Sequence, residues 1–203
     1  MNITILGAGN IGGTLGGKWS QAGHQVRFGV RDPQSEKARA LRVKLPGAVV
    51  EPTGQAIPPG DVILFAVPSA AVEGIVRENN RALAGKIVID ATNNFGAPIV
   101  NSLLTILKQV PTARAYRAFN ALGWEIFAQP QFKGTLADLF YCGPEDIQTR
   151  GEIERLIYDV GLRPIWVGGL DRALVVDALG TLWVTLSFQR GMGRRLALKL
   201  LQE

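Results

Sequence analysis

Cysteine and histidine are almost missing from this chain: Cys142 and His24 are the only ones in 203 residues. A lone cysteine excludes an internal disulfide and fits a reducing compartment, and a lone histidine leaves no ligand cluster for a structural metal, so no metal site is expected. No basic-then-apolar leader stands before the first apolar run, which predicts a cytoplasmic protein. Long uninterrupted apolar runs are missing too. Leu174 to Phe188 approaches membrane-spanning length, but Asp177, Gly180, Thr181, Thr185 and Ser187 interrupt it, and no membrane span is expected. The net charge of +5 is spread along the chain except at Arg190, Arg194, Arg195 and Lys199. With no aromatic-plus-basic motif, nucleic acid is not the expected partner; the basic group reads as a solvated helix face or an attraction for a small anion.

What is abundant is apolar and glycine: 47% of residues are hydrophobic and 24 are glycine, enough for a sizeable core. The organising stretch comes first. An apolar, β-branched run from Asn2 to Leu6 breaks at Gly7-Ala8-Gly9-Asn10-Ile11-Gly12, and a helical pattern follows from Ile11 to Ala22. Strand, G-x-G-x-x-G and helix in that order form a dinucleotide-binding fingerprint. Gly7 allows the turn, Gly9 lets the backbone N–H groups approach a pyrophosphate, and Gly12 lets the helix lie close on the strand. The backbone at Gly9, Asn10, Ile11 and Gly12 is therefore the expected diphosphate cradle.

The second strand, Gln25 to Gly29, ends where such proteins usually place an acid on the ribose hydroxyl, about twenty residues past the glycines. Here Val30 and Arg31 stand there. A guanidinium can hold an added 2′-phosphate by charge-assisted hydrogen bonds, which favours NADP over NAD, and Lys37 offers a second cation. Asp32-Pro33 reads as a turn and helix start, with Asp32 as cap and Pro33 at the first helical position. A longer second strand would instead make Asp32 the ribose acid and favour NAD.

Two further apolar runs, Asp61 to Val67 and Lys86 to Ala91, read as buried parallel strands. Ligands of doubly wound sheets sit at the carboxyl ends of the strands. That places Ala66, Val67 and Pro68 beside the cofactor and Thr92 and Asn93 within reach of ribose or nicotinamide, or simply in a turn. Pro98 to Lys108 reads as helix and Ala113 to Ala118 as strand, with Asn120 leaving the same edge nearest the nicotinamide. A strand at Leu139 to Cys142, a helix at Glu145 to Val160, a strand at Arg163 to Val167 and helix from Asp171 to the end complete the expectation. The fold class is α/β, a doubly wound, Rossmann-type, mostly parallel sheet with a small C-terminal helical region. Residues 1–168 would form the dinucleotide domain, and residues 169–203 the substrate pocket and interface of a homodimer, because an almost wholly apolar helix needs partners on more than one side.

Ile5-Leu6-Gly7-Ala8-Gly9-Asn10-Ile11-Gly12, Gly29-Val30-Arg31, Cys142-Gly143, Gly161-Leu162-Arg163-Pro164 and Gly191-Met192-Gly193 together resemble the NADPH-dependent F-420 reductase family over the whole chain. The resemblance implies hydride transfer between NADP and the deazaflavin coenzyme F-420, with Arg31 and Lys37 on the 2′-phosphate. Hydride transfer between two flat rings needs alignment and dryness more than a proton-transfer residue, and no catalytic residue is assigned. Two alternatives stay open: a dehydrogenase or imine reductase with a small organic substrate, and a nucleotide sensor without turnover.

Overall fold

The computed structural model describes residues 1–203. In chain order the elements are β1 (Asn2–Leu6), α1 (Asn10–Gln21), β2 (Gln25–Val30), α2 (Glu36–Lys44), β3 (Val49–Pro52), α3 (Thr53–Ala56), β4 (Val62–Phe65), α4 (Val72–Leu83), β5 (Ile87–Asp90), α5 (Leu103–Gln109), β6 (Arg114–Arg117), α6 (Trp124–Ala128), β7 (Gln131–Phe132), β8 (Thr135–Leu136), β9 (Asp138–Tyr141), α7 (Ile147–Val160), β10 (Arg163–Trp166) and α8 (Ala173–Val184).

Six parallel strands lie in the order β3-β2-β1-β4-β5-β6. The order reverses between β1 and β4, which opens a crevice at their carboxyl ends. The inner strands are apolar on both faces because both are covered, and alternate residues go to opposite layers. Ile3, Ile5, Leu64 and Ile89 join Leu15, Trp19, Leu156 and Ile157 in one layer. Leu6, Ile63, Phe65 and Val88 meet Val72, Val76 and Ile106 in the other. Each such side chain contributes roughly 1.5–3 kcal/mol on leaving water. The parallel pair β9-β10 continues beyond β6 through a bridge between Arg117 and Cys142.

α1 packs very close to the sheet. A Cβ at Gly16 would lie 2.4 Å from the Phe28 ring, and one at Gly12 would lie 2.6 Å from the Gly7 carbonyl. Each helical glycine costs about 1 kcal/mol against alanine, and this contact offsets the loss.

Three expectations need correction. α2 starts at Glu36 with Ser35 as its cap, accepting from the Ala38 N–H; Asp32 instead closes a turn, its carboxylate accepting from the Gln34 N–H at 2.8 Å. The segment from Pro98 becomes helical only at Leu103, where the backbone is released from a loop tied to the carboxylate of Asp90. The chain does not stay helical to its end. After α8 comes one wide turn, Thr185–Gln189, and then Gly191 and Gly193 take left-handed φ of 67° and 80°, which breaks the helix. The remaining tail runs back beside β9, where the Leu198 carbonyl accepts from the Asp138 N–H.

Candidate nucleotide site

The turn after β1 is built for a bare backbone. Gly7 has φ of 113°, and a Cβ there would lie 2.4 Å from the Ala66 carbonyl oxygen, so no other residue fits. Gly9 caps α1 without a side chain, and a Cβ on it would meet no atom within 4 Å. The first bond of α1 runs from the Gly13 N–H to the Gly9 carbonyl. Asn10, Ile11 and Gly12 thus present N–H groups without an i−4 acceptor, at the positive end of the helix dipole.

A cavity of about 900 Å³ opens from this turn. Gly7 and Gly9 form its floor, and Ala66, Val67 and Pro68 after β4 form one wall. Arg31, Ser35 and Lys37 stand at the rim beyond β2. Arg31 and Lys37 are both exposed and form no ion pair within the protein. Asp32 is also at the rim, but beyond the end of β2. Diphosphate donors at the centre and two unpaired cations at one end match a dinucleotide carrying an extra phosphate, and the glycines supply the room it requires.

Further along the sheet edge, polar groups are consumed inside the protein. Arg117 is fully buried; its Nη2 and Nε lie 2.8 Å from Asp177 Oδ1 on α8, and its Nη1 lies 3.4 Å from Asp90 Oδ2. The same guanidinium donates to the carbonyls of Asp90 and Thr92 and to Asn93 Oδ1. Asp90 also accepts from the N–H and hydroxyl of Thr92 and from the Ser102 N–H. Asn93 spends its remaining donor on the Asn120 carbonyl at 2.9 Å. The side chains of Thr92 and Asn93, expected near ribose or nicotinamide, therefore hold the loop after β5 and line no part of the cavity. Spacing could not reveal this, because the partners are up to 60 residues apart.

Asn120 differs from its neighbours. It is 5% exposed, and both polar atoms of its side chain are buried with no hydrogen-bond partner. The preceding residue, Phe119, holds a left-handed φ of 61°, a strained conformation for an aromatic residue, inside a cluster with Trp19 and Phe127. Gly180 of α8 lies over Asn120. Cys142 is buried, which pushes its thiol up to about 12 and leaves no thiolate for chemistry. Most of the basic group near the C-terminus is engaged within the protein: Arg194 pairs with Glu125, Lys199 with Asp138, and Arg195 donates to the carbonyls of Gln129 and Gln131, while Arg190 is exposed.

Residues 2–94 match the family described as NADP oxidoreductase, coenzyme F420-dependent. The likeness to that family covers under half of the chain. The glycerol-3-phosphate dehydrogenase [NAD(P)+] of Pseudomonas syringae pv. tomato is 30% identical over 126 residues, 55% of this chain and 36% of that protein. The match thus spans about a third of such curated relatives. A solved structure of a candidate F420-dependent NADP-reductase from Arthrobacter sp. FB24 superposes with a TM-score of 0.85 at 21% identity, covering 100% of both chains. The NADPH complex of a reductive aminase from Aspergillus terreus gives 0.65 at 22% identity, over 94% of this chain and 64% of that one. The structural likenesses establish the Rossmann-type fold, and residues 2–94 are similar to NADP oxidoreductases.

Among the cavity-wall residues that escaped the sequence reading are Ser35, Thr53, Gly54 and Asn79. Ser35 was legible as a helix cap. The others come from α3 and α4, and only the fold brings those helices together.

Proposed function

We propose that the protein is an NADP(H)-dependent oxidoreductase that passes a hydride between the nicotinamide and a deazaflavin (F-420) or flavin-like acceptor. The supporting observation is the single cleft that joins the uncapped start of α1 to the free cations Arg31 and Lys37. In this reading the N–H groups of Asn10 to Gly12 hold the diphosphate and Arg31 and Lys37 the 2′-phosphate. Ala66, Val67 and Pro68 wall the cofactor, and the unpartnered carboxamide of Asn120, which lies outside the lining of the cavity, would serve the nicotinamide end. The bound cofactor supplies the hydride; the protein aligns the two rings and excludes water. Residues 169–203 would act as a separate cover over the dinucleotide domain of residues 1–168 and carry the interface of a homodimer, in a cytoplasm that keeps Cys142 reduced.

Titration calorimetry with NADPH and NADH tests the nucleotide assignment. Loss of the charge-assisted bonds in Arg31→Ala, worth about 1.5–3 kcal/mol, should weaken NADPH roughly 10- to 100-fold and leave NADH nearly unchanged. Equal losses for both, or no binding of either by the unaltered protein, would overturn the assignment. Following nicotinamide absorbance with F-420, a flavin and a cyclic imine as acceptors then separates this reading from an imine reductase, for which the imine alone would oxidise NADPH.

A further inference from the structure

α4 is broken at one residue. Asn79 has φ of −125° and ψ of 17°, outside helical values, and its side-chain Nδ2 donates to the Ile75 carbonyl at 2.8 Å, inserting a side chain into the helix ladder. That bond also fixes the orientation of the carboxamide. Only the NH₂ group can face a carbonyl, so Oδ1 must point the other way. It points to α3: a Cβ built on Gly54 would lie 3.3 Å from Asn79 Oδ1. Oδ1 receives no hydrogen bond from the protein.

This free acceptor lies on the wall of the nucleotide cavity, in a slot made by Thr53 and Gly54 on one side and Gly74, Ile75, Glu78 and Asn79 on the other. Gly54 and Gly74 carry no side chain into it, and Ile75 offers an apolar surface, so the slot is suited to a flat ring. Asn79 Oδ1 and the Glu78 carboxylate offer it acceptors, and the Thr53 hydroxyl can donate or accept.

We infer that Asn79 reads the purine base of the nucleotide, its Oδ1 accepting a hydrogen bond from the exocyclic amino group of adenine. The inference rests on the nucleotide assignment above and adds base specificity to it. A purine with a carbonyl at that position would set two acceptors against each other. Asn79 is half-buried, and a base seated in the slot would cover its Oδ1, so an analogue without the N–H donor would leave that acceptor unpaired.

Titration calorimetry with NADPH and with its deaminated analogue, in which hypoxanthine replaces adenine, tests this without any turnover. The unaltered protein should prefer NADPH by about tenfold or more. In Asn79→Ala the preference should fall to about one, mainly through weaker NADPH binding. Gly54→Ala, at a helical position that tolerates alanine, should crowd Oδ1 and reduce the preference in the same direction. Equal affinities in the unaltered protein would overturn the inference. So would an Asn79→Ala variant that weakens both ligands alike, as a merely structural role for the kink predicts. If NADPH binds and depends on Arg31 but shows no base preference, only the role of Asn79 fails; if NADPH does not bind at all, the nucleotide assignment fails with it.

Discussion

Asn120 offers two buried polar atoms that the protein leaves unpaired, and an unmet buried donor or acceptor costs about 1–3 kcal/mol. Such a cost, beside a strained Phe119, marks a group kept for something other than stability. Leucine has a similarly branched shape with nothing to satisfy. Asn120→Leu should therefore raise the melting temperature of the free protein, by about 2–4 °C for each kcal/mol recovered at this chain length. The same change should weaken NADPH while leaving adenosine 2′,5′-bisphosphate, which lacks the nicotinamide, bound as before. Calorimetric melts and paired titrations measure both effects; a lower melting temperature would show that the side chain is structurally required. Asn120 was visible in the sequence as a polar residue leaving a strand at the ligand edge. Its isolation was not visible, because that depends on Gly180, 60 residues further on, lying over it.

The elements that the sequence reveals are those whose reasons are local. β1, β4 and β5 are apolar runs stopped by glycine, proline or a polar turn, and α7 has its cap at Asp146 and its left-handed glycine at Gly161. α6 and the hairpin β7-β8 have punctuation, Gly123 and Pro130 for the one and the Lys133-Gly134 turn for the other, but are too short to show a period. The tail misleads for a related reason: Arg190, Arg194, Arg195 and Lys199 have the spacing of a helix face, but three of them bond to groups 61 or more residues away. What fixes α8 and the tail is two buried carboxylates. Asp177 joins α8 to Arg117, and removing one partner of a buried pair costs about 3–5 kcal/mol. Asp177→Ala should lose that much in urea unfolding, far more than a surface Asp171→Ala change. Asp138, fully buried, receives Arg163, Lys199 and the Leu200 N–H. Burial alone would push its carboxyl up, but those hydrogen bonds outweigh it and hold it below the usual carboxylate range. A carboxyl depressed in the folded state adds stability that is fully present above the unfolded value of about 3.9 and is lost as pH falls through the folded one. Urea midpoints measured from pH 6 downward should thus fall steeply below about pH 4, and Asp138→Asn should be less stable at pH 6 with a shallower acid limb.

At the scale of the whole molecule, one apolar surface lacks a partner. α8 buries Ala173, Val176, Gly180 and Trp183 against its own chain, yet Leu174 is 67% exposed, Leu182 42% and Phe188, just beyond, 56%. Leu174, Ala178 and Leu182 follow at intervals of four, so they share one face of the helix. No helix is long and apolar enough to cross a membrane, so a bilayer-spanning role does not account for that face. A second copy, the proposed homodimer, would: a two-fold axis would set the same patch against itself, and an apolar stripe without charge is self-complementary. Light scattering across a concentration series should give twice the chain mass of 21.9 kDa. A double change, Leu174→Glu with Leu182→Glu, sets like charges across the axis and should halve the measured mass. The adenosine end of the cleft, from Gly7 to Lys37, is lined by residues of one chain, so the monomeric variant should still bind NADPH. An unaltered protein that remains monomeric into the micromolar range would leave the exposed stripe to the hydride acceptor instead, and the double change would then lower acceptor affinity without altering mass.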